Sequence, residues 1–222
     1  MIATILMLYR NRQLEIIYKK IEINEIDESL KSIQFIWIPN IGDFQRKLSE
    51  IETICNHNTI ILLSGYSKKK SKKYNDENIK FLSSIAPVYF IWSDIDYSGN
   101  YRDLNALLLD CKVAILENSN ASFETENGTK FSIIGLDDIK TNRDNLNFAL
   151  DGCYDDHLNI LVSHSEVLDS KTKNFESIQV YLFESSQLNG NRNQKTIYLE
   201  LHNKIGIRKQ NTVSIINFEV LK

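Results

Sequence analysis

The residues of this chain best able to do chemistry sit where apolar runs stop. Asp94 and Asp96 follow the run from Pro87 to Trp92, Tyr66 follows Thr59 to Leu63 through Gly65, and His164 follows Leu158 to Ser163. Two carboxylates, a phenol and an imidazole at strand ends could move protons in general acid–base catalysis, or hold a cation. Without a metal, nothing in this set activates water or stabilises the charge of a phosphorane. Each group also has a commoner use. Carboxylates just after a strand accept backbone N–H groups at the turn into a helix, and a lone histidine closing a buried strand is usually a hydrogen-bonded structural residue. Asp137 and Asp138, after Gly135, read as caps of a loop or of a helix start.

Several familiar arrangements are excluded. Gly65-Tyr66-Ser67-Lys68 follows a strand but lacks the first glycine and the four-residue spacing with which backbone amides wrap a phosphate. Ser163 and His164 are adjacent, so they face opposite sides of a continuing strand, and no G-x-S-x-G elbow occurs. His57, His157 and His202 have no partner pattern. Cys55, Cys111 and Cys153 are odd in number and widely spaced, which gives neither a disulfide framework nor a zinc knuckle and suits a reducing cytoplasm.

The 222 residues, 42% of them apolar, are enough for one large α/β domain spanning 1–222. A net charge of -3 and a pI near 5.9 give no global electrostatic case for nucleic acid or an anionic membrane. Five lysines, Lys68, Lys69, Lys70, Lys72 and Lys73, surround Ser71 on an expected loop. They read as a solvated insertion, available for contact with an anionic surface. The apolar stretch Met1 to Tyr9 is short of the roughly 20 residues that cross a bilayer. It has neither the basic lead nor the small-residue cleavage site of a signal peptide, and is expected to form a buried strand rather than a transmembrane segment.

Strand-length apolar runs recur at Ile33 to Ile38, Thr59 to Leu63, Val88 to Trp92, Val113 to Leu116, Leu158 to Ser163, Val180 to Phe183, Thr196 to Leu201 and Val213 to Val220. Helical spacing occupies Phe44 to Asn56, Asn78 to Ile85 and Arg102 to Cys111. Phe123 to Glu126 and Lys130 to Ile134, joined through Asn127-Gly128, predict a hairpin with a type I′ turn. Strand–helix alternation early and strand richness late predict an α/β fold: a two-sheet β-sandwich flanked by helices.

This order of elements, with Gly135-Leu136-Asp137-Asp138 after the hairpin and Ile160-Leu161-Val162-Ser163-His164 later, resembles the calcineurin-like metallophosphoesterases, in particular bacterial members of the membrane-linked type. The resemblance runs from about Tyr18 to Val220 and implies a four-layer α/β/β/α fold. It also implies two metals, held by Asp-x-His, Gly-Asp, Gly-Asn-His-Asp or Glu, a lone His and Gly-His-x-His at successive strand ends. Such metals lower the pKa of a bound water to about 7 and generate the attacking hydroxide.

Carried onto this chain, the motifs are mostly empty. The first falls on Asn40-Ile41-Gly42 and the second on Gly65-Tyr66, where a neutral phenol replaces the bridging carboxylate. The third falls on Ser93-Asp94-Ile95-Asp96, with Ile95 in the place of the histidine. The lone histidine is His164. The last motif falls on Glu184-Ser185-Ser186-Gln187, and no histidine lies between His164 and His202. What remains is a vestigial pocket of Asn40, Gly42, Tyr66, Asp94, Asp96, His164 and Gln187. Two ions each needing four or more donors do not fit it, although a single weakly held divalent ion remains compatible. No other cofactor is implied. The expectation is a catalytically inactive member of this fold that binds a protein partner or a second copy of itself; the alternative is a hydrolase with a remodelled single-metal or metal-free site.

Overall fold

Runs of β-branched and aromatic residues make the strands, and the most apolar of them are covered on both faces, as strands of parallel sheets must be. The computed structural model describes residues 15–24, 28–39, 41, 48–66, 76–165, 175–185, 197–200 and 212–221. The expectations placed on Met1 to Tyr9, Asn40, Gly42, Lys68 to Lys73 and Gln187 lie outside these residues, as does the Phe44 end of the first predicted helix. The described strands are β1 (Glu15–Asn24), β2 (Gln34–Pro39), β3 (Thr59–Ser64), β4 (Val88–Ile91), β5 (Ala114–Ile115), β6 (Ser119–Glu124), β7 (Lys130–Gly135), β8 (Leu158–Ser165), β9 (Val180–Ser185), β10 (Ile197–Glu200) and β11 (Thr212–Leu221). The described α-helices are α1 (Ser49–Glu52), α2 (Asp76–Ile85), α3 (Asp94–Ser98), α4 (Tyr101–Asp110) and α5 (Leu146–Ala149). None of them is long and apolar enough to cross a membrane.

Two sheets result, as the strand texture predicts. One has the order β1-β11-β2-β3-β4-β5 and the other β10-β9-β8-β7-β6. From β2 to β5 and from β7 to β10 every neighbouring pair is parallel. The side-chain period of two divides each sheet cleanly. Phe35, Trp37, Ile60 and Leu62 of the first sheet share one buried cluster with Phe131, Ile133, Ile160, Val162 and Leu182 of the second, which makes an α/β sandwich. The alternate residues Ile36, Ile38, Ile61, Leu63 and Phe90 turn to the other side, where Ile51, Ile79, Leu82, Leu104 and Leu108 of the helices cover them. On the far side of the second sheet, Leu161, Tyr181 and Phe183 pack with Leu146 and Ala149.

Two local expectations need correction. The helix predicted to reach Asn56 has its last α-helical residue at Glu52. Asn56 leaves it because its side chain accepts from the Asn58 N–H at 2.8 Å while its own N–H donates to Thr59 Oγ1 at 2.7 Å, a local alternative to helical bonding. The hairpin exists, in the register Glu124 opposite Lys130, but its turn is not type I′. A type I′ turn needs positive φ at both central residues. Only Gly128 has it (φ +84°); Gly128 N–H donates to Thr125 O at 2.9 Å and Thr125 N–H to Thr129 O at 2.8 Å, giving a three-residue loop closed by a left-handed glycine.

Gly135, the last residue of β7, is required by space rather than by φ. A Cβ there would overlap the Leu116 side chain and lie 2.8 Å from its carbonyl oxygen. Because backbone is involved, the clash cannot be relieved by a rotamer change. Gly135→Ala should therefore lower the unfolding free energy by about 2 kcal/mol, the usual scale of overpacking, as a reduced urea midpoint at unchanged slope. A wild-type midpoint would show that β7 and Leu116 are not held this closely.

Candidate functional site

Parallel strands deliver their carboxyl ends together, and here the ends of β3, β4, β8 and β9 bring polar residues into an otherwise apolar interior. Strand β3 closes on Ser64 and β8 on Ser163-His164-Ser165, all buried. His164 is the junction. Its Nδ1 lies 2.9 Å from Ser64 Oγ, across the gap between the sheets, and 2.9 Å from Glu184 Oε2 on the neighbouring strand β9. Its Nε2 faces Asp94 Oδ1 at 3.8 Å.

Nδ1 thus has two close neighbours, the Ser64 hydroxyl in hydrogen-bond geometry and the Glu184 carboxylate at ion-pair distance. Burial works against the imidazolium, yet the hydrogen bond and charge of Glu184 and the charge of Asp94 outweigh it, so the His164 pKa is raised above its ordinary value. The same geometry excludes a Ser-His-acid nucleophile. Such a triad needs the hydroxyl and an orienting carboxylate hydrogen-bonded to opposite ring nitrogens; here Glu184 shares Nδ1 with Ser64, and Asp94, on the Nε2 side, stands at 3.8 Å, beyond hydrogen-bond reach.

Helix α3 sets the positions of the two aspartates. Asp96 is 3% exposed and folds back to its own helix start: Oδ2 accepts from Ser93 N–H at 2.8 Å and Ser93 Oγ at 2.7 Å, while Oδ1 accepts from Tyr66 N–H at 2.6 Å. This is the use the strand-to-helix turn predicts. Burial nevertheless pushes its pKa up to about 6, against the lowering effect of those hydrogen bonds and of His164. Asp94 does something else. Its Oδ2 accepts from Lys140 Nζ at 3.2 Å, and its buried Oδ1 has no hydrogen-bond partner.

Lys140 is presented by a pinned loop. Asn118, at φ +48°, accepts on Oδ1 from Asp137 N–H at 3.1 Å and Asn145 N–H at 2.8 Å. Tyr97 OH stands 2.8 Å from both Asp137 oxygens, and Arg143 stacks over the Tyr97 ring at 4.2 Å. Burial and then the Asp137 bond raise the Tyr97 pKa, while burial raises that of Asp137 against the Tyr97 bond. Asp138 Oδ2 accepts from Thr141 N–H at 2.8 Å, so Asp137 and Asp138 do hold a loop as expected.

Of the sequence-predicted residues, Tyr66, Asp94, Asp96 and His164 meet at this end of the sandwich; Asn40, Gly42 and Gln187 lie outside the described residues. Tyr66 contributes its backbone N–H, and its buried side chain belongs to the apolar cluster beneath the helices. Ile95, between the two aspartates, is 37% exposed. Ser64, Lys140 and Glu184 were not singled out from sequence. Among the described residues no three His, Cys, Asp or Glu side chains are grouped to hold a metal ion.

No family model matches the chain. A Bacillus subtilis (strain 168) protein described as the uncharacterized protein YpbG is 31% identical over 108 residues, 48% of this chain and 41% of that protein. The chain thus spans about two fifths of the length of the curated relative it matches.

Two titrations follow from the geometry. The folded pKa of Asp96, about 6, lies above its ordinary 3.8, so its contribution to stability is full below 3.8 and lost as pH rises through about 6. Relative to Asp96→Asn, whose amide does not titrate, the wild type should lose about 3 kcal/mol of unfolding free energy between pH 3.5 and 7.5; a pH-independent difference would contradict this. His164, also raised, contributes below its ordinary 6.5 and loses that contribution as pH rises through its folded value. In Glu184→Gln the His164 midpoint, followed by NMR of the ring protons, should move down; an unmoved midpoint would mean that Glu184 is not its principal partner.

Proposed function

We propose that this chain is a catalytically inactive metallophosphoesterase-like protein that acts as a binding or regulatory partner of an active phosphoesterase or a biosynthetic enzyme. The reading takes the two-sheet sandwich as the four-layer arrangement of that family and the cytoplasm as its compartment. One observation carries it: the strand-end residues are engaged with one another. Asp96 is held by two backbone N–H groups and a hydroxyl, His164 by Ser64 and Glu184, and Asp94 by Lys140. A dinuclear hydrolase needs such donors turned onto two cations, with a carboxylate between them. Here the Lys140 ammonium and the His164 ring stand beside the carboxylates and occupy them from within the chain. The partner on this reading is a protein or a second copy of the chain, not nucleic acid, with the Lys68 to Lys73 segment available to an acidic surface.

A second reading, a hydrolase with a remodelled single-metal or metal-free site, has one feature in its favour. Asp94 Oδ1 is buried, lacks a hydrogen-bond partner and faces His164 Nε2. Elemental analysis and turnover of bis-p-nitrophenyl phosphate, with Mn, Fe or Zn supplied, separate the two. The first reading expects less than one equivalent of retained metal and no turnover above buffer. Two equivalents with turnover would overturn it, and one equivalent with turnover abolished by Asp94→Asn would favour the second.

A further inference from the structure

At the end of the sandwich opposite His164, the sheets part around a cleft of about 670 Å3. That volume suits a small organic ligand. The cleft lies below the starts of β3 and β4, between the turn at 28–33 and the tip of the β6–β7 hairpin.

Its floor is apolar and aromatic. Ile33, Ile60 and Phe131 are buried there, and Pro87 lies beside them. Phe123 stacks on Phe131 with centroids 4.8 Å apart and planes 10° apart, and Tyr89 meets Phe123 edge-on at 5.8 Å. Phe123 is only partly buried, so part of this aromatic stack remains open to the cleft.

The rim is acidic. Glu28, Glu124 and Glu126 line it against Lys31, whose Nζ is 2.9 Å from Glu28 Oε1, and the His57 ring. Glu124 and Glu126 make no ion pair with another described residue and are exposed. Ser29 Oγ stands 3.1 Å from Thr125 Oγ1 and 3.3 Å from Thr129 Oγ1, tying the two walls together. The cleft is therefore formed before any ligand arrives, which lowers the ordering cost of binding.

We propose that this cleft binds a small amphipathic amine. Its aromatic body lies on Phe123 and the apolar floor, and its ammonium reaches the carboxylates of the rim, Glu126 at the hairpin tip and Glu124 at the outer edge of β6, where the ring faces add cation–π attraction. An anion of the same shape meets a rim with more carboxylates than lysines, Glu28, Glu124 and Glu126 against Lys31 and the cross-strand Lys130, and is disfavoured. The site is independent of the reading given to the His164 end, and neither stands or falls with the other.

The test uses the full chain, 15N-labelled, titrated with tryptamine, tryptophol and indole-3-propionate, which share one ring system and differ in charge. Saturable shifts are expected at Ile60, Phe123, Thr125 and Phe131. Tryptamine should bind about fivefold or more tightly than tryptophol, the scale of one exposed ion pair, with indole-3-propionate weakest. The double substitution Glu124→Gln with Glu126→Gln, on exposed positions that leave the core untouched, should bring the three ligands to similar affinity. Equal binding of all three to the wild type, shifts confined to the His164 end, absence of saturation by tryptamine, or an unchanged preference in the double variant would each overturn the proposal.

Discussion

Strands β3 and β8 are buried at every position along their length. A strand enclosed in this way cannot leave a polar side chain to water, and an unpaired polar group in the interior costs about 1–3 kcal/mol, more if it is charged. The Ser64 hydroxyl and the His164 ring therefore find each other across the gap between the sheets. The carboxylates of Glu184 and Asp94 flank the His164 ring and raise its pKa, and Asp94 also takes up Lys140. The polar end of the sandwich is thus a chain of obligations that begins with the burial of two central strands. Along it a carboxylate, an imidazole, a carboxylate and an ammonium follow one another, so no two carboxylates stand in immediate contact.

The loop that carries Lys140 obeys the same logic at second hand. Asn118 adopts a left-handed conformation that asparagine tolerates well, and from there one carbonyl oxygen collects N–H groups from both ends of the loop. Tyr97, flanked by the Trp92 ring and the Arg143 guanidinium, then holds Asp137. Rigid placement of Lys140 comes from contacts that never touch it.

Legibility in the sequence followed the strength of the local signal. Runs such as Thr59 to Leu63 and Val180 to Phe183 are apolar without interruption, and their strands lie where they were expected. Strand β1, Glu-Ile-Ile-Tyr-Lys-Lys-Ile-Glu-Ile-Asn, escaped notice because it is an edge strand whose charges break the apolar run. Helices α3 and α5, of five and four residues, are too short to show a period. Tyr66, Asp94, Asp96 and His164 were visible because each stands just past such a run. Ser64 and Glu184 stand at equivalent places but are ordinary residue types there, and what distinguishes them is a distance to His164. Lys140 sits in a loop that no periodicity marks, and only the fold brings it to Asp94.

The first sheet also carries a consequence for how the chain can be made. Strand β11 lies between β1 and β2, parallel to one and antiparallel to the other, so residues about 200 positions apart must meet before the edges of β1 and β2 that face each other are paired. During ribosomal synthesis the facing edges of β1 and β2 wait, with their backbone hydrogen bonds unmade, until β11 emerges. A nascent chain in that interval has every other described strand of the sandwich and an open seam through its six-stranded sheet. Chaperone engagement, premature termination and strand exchange between neighbouring copies all act on that seam.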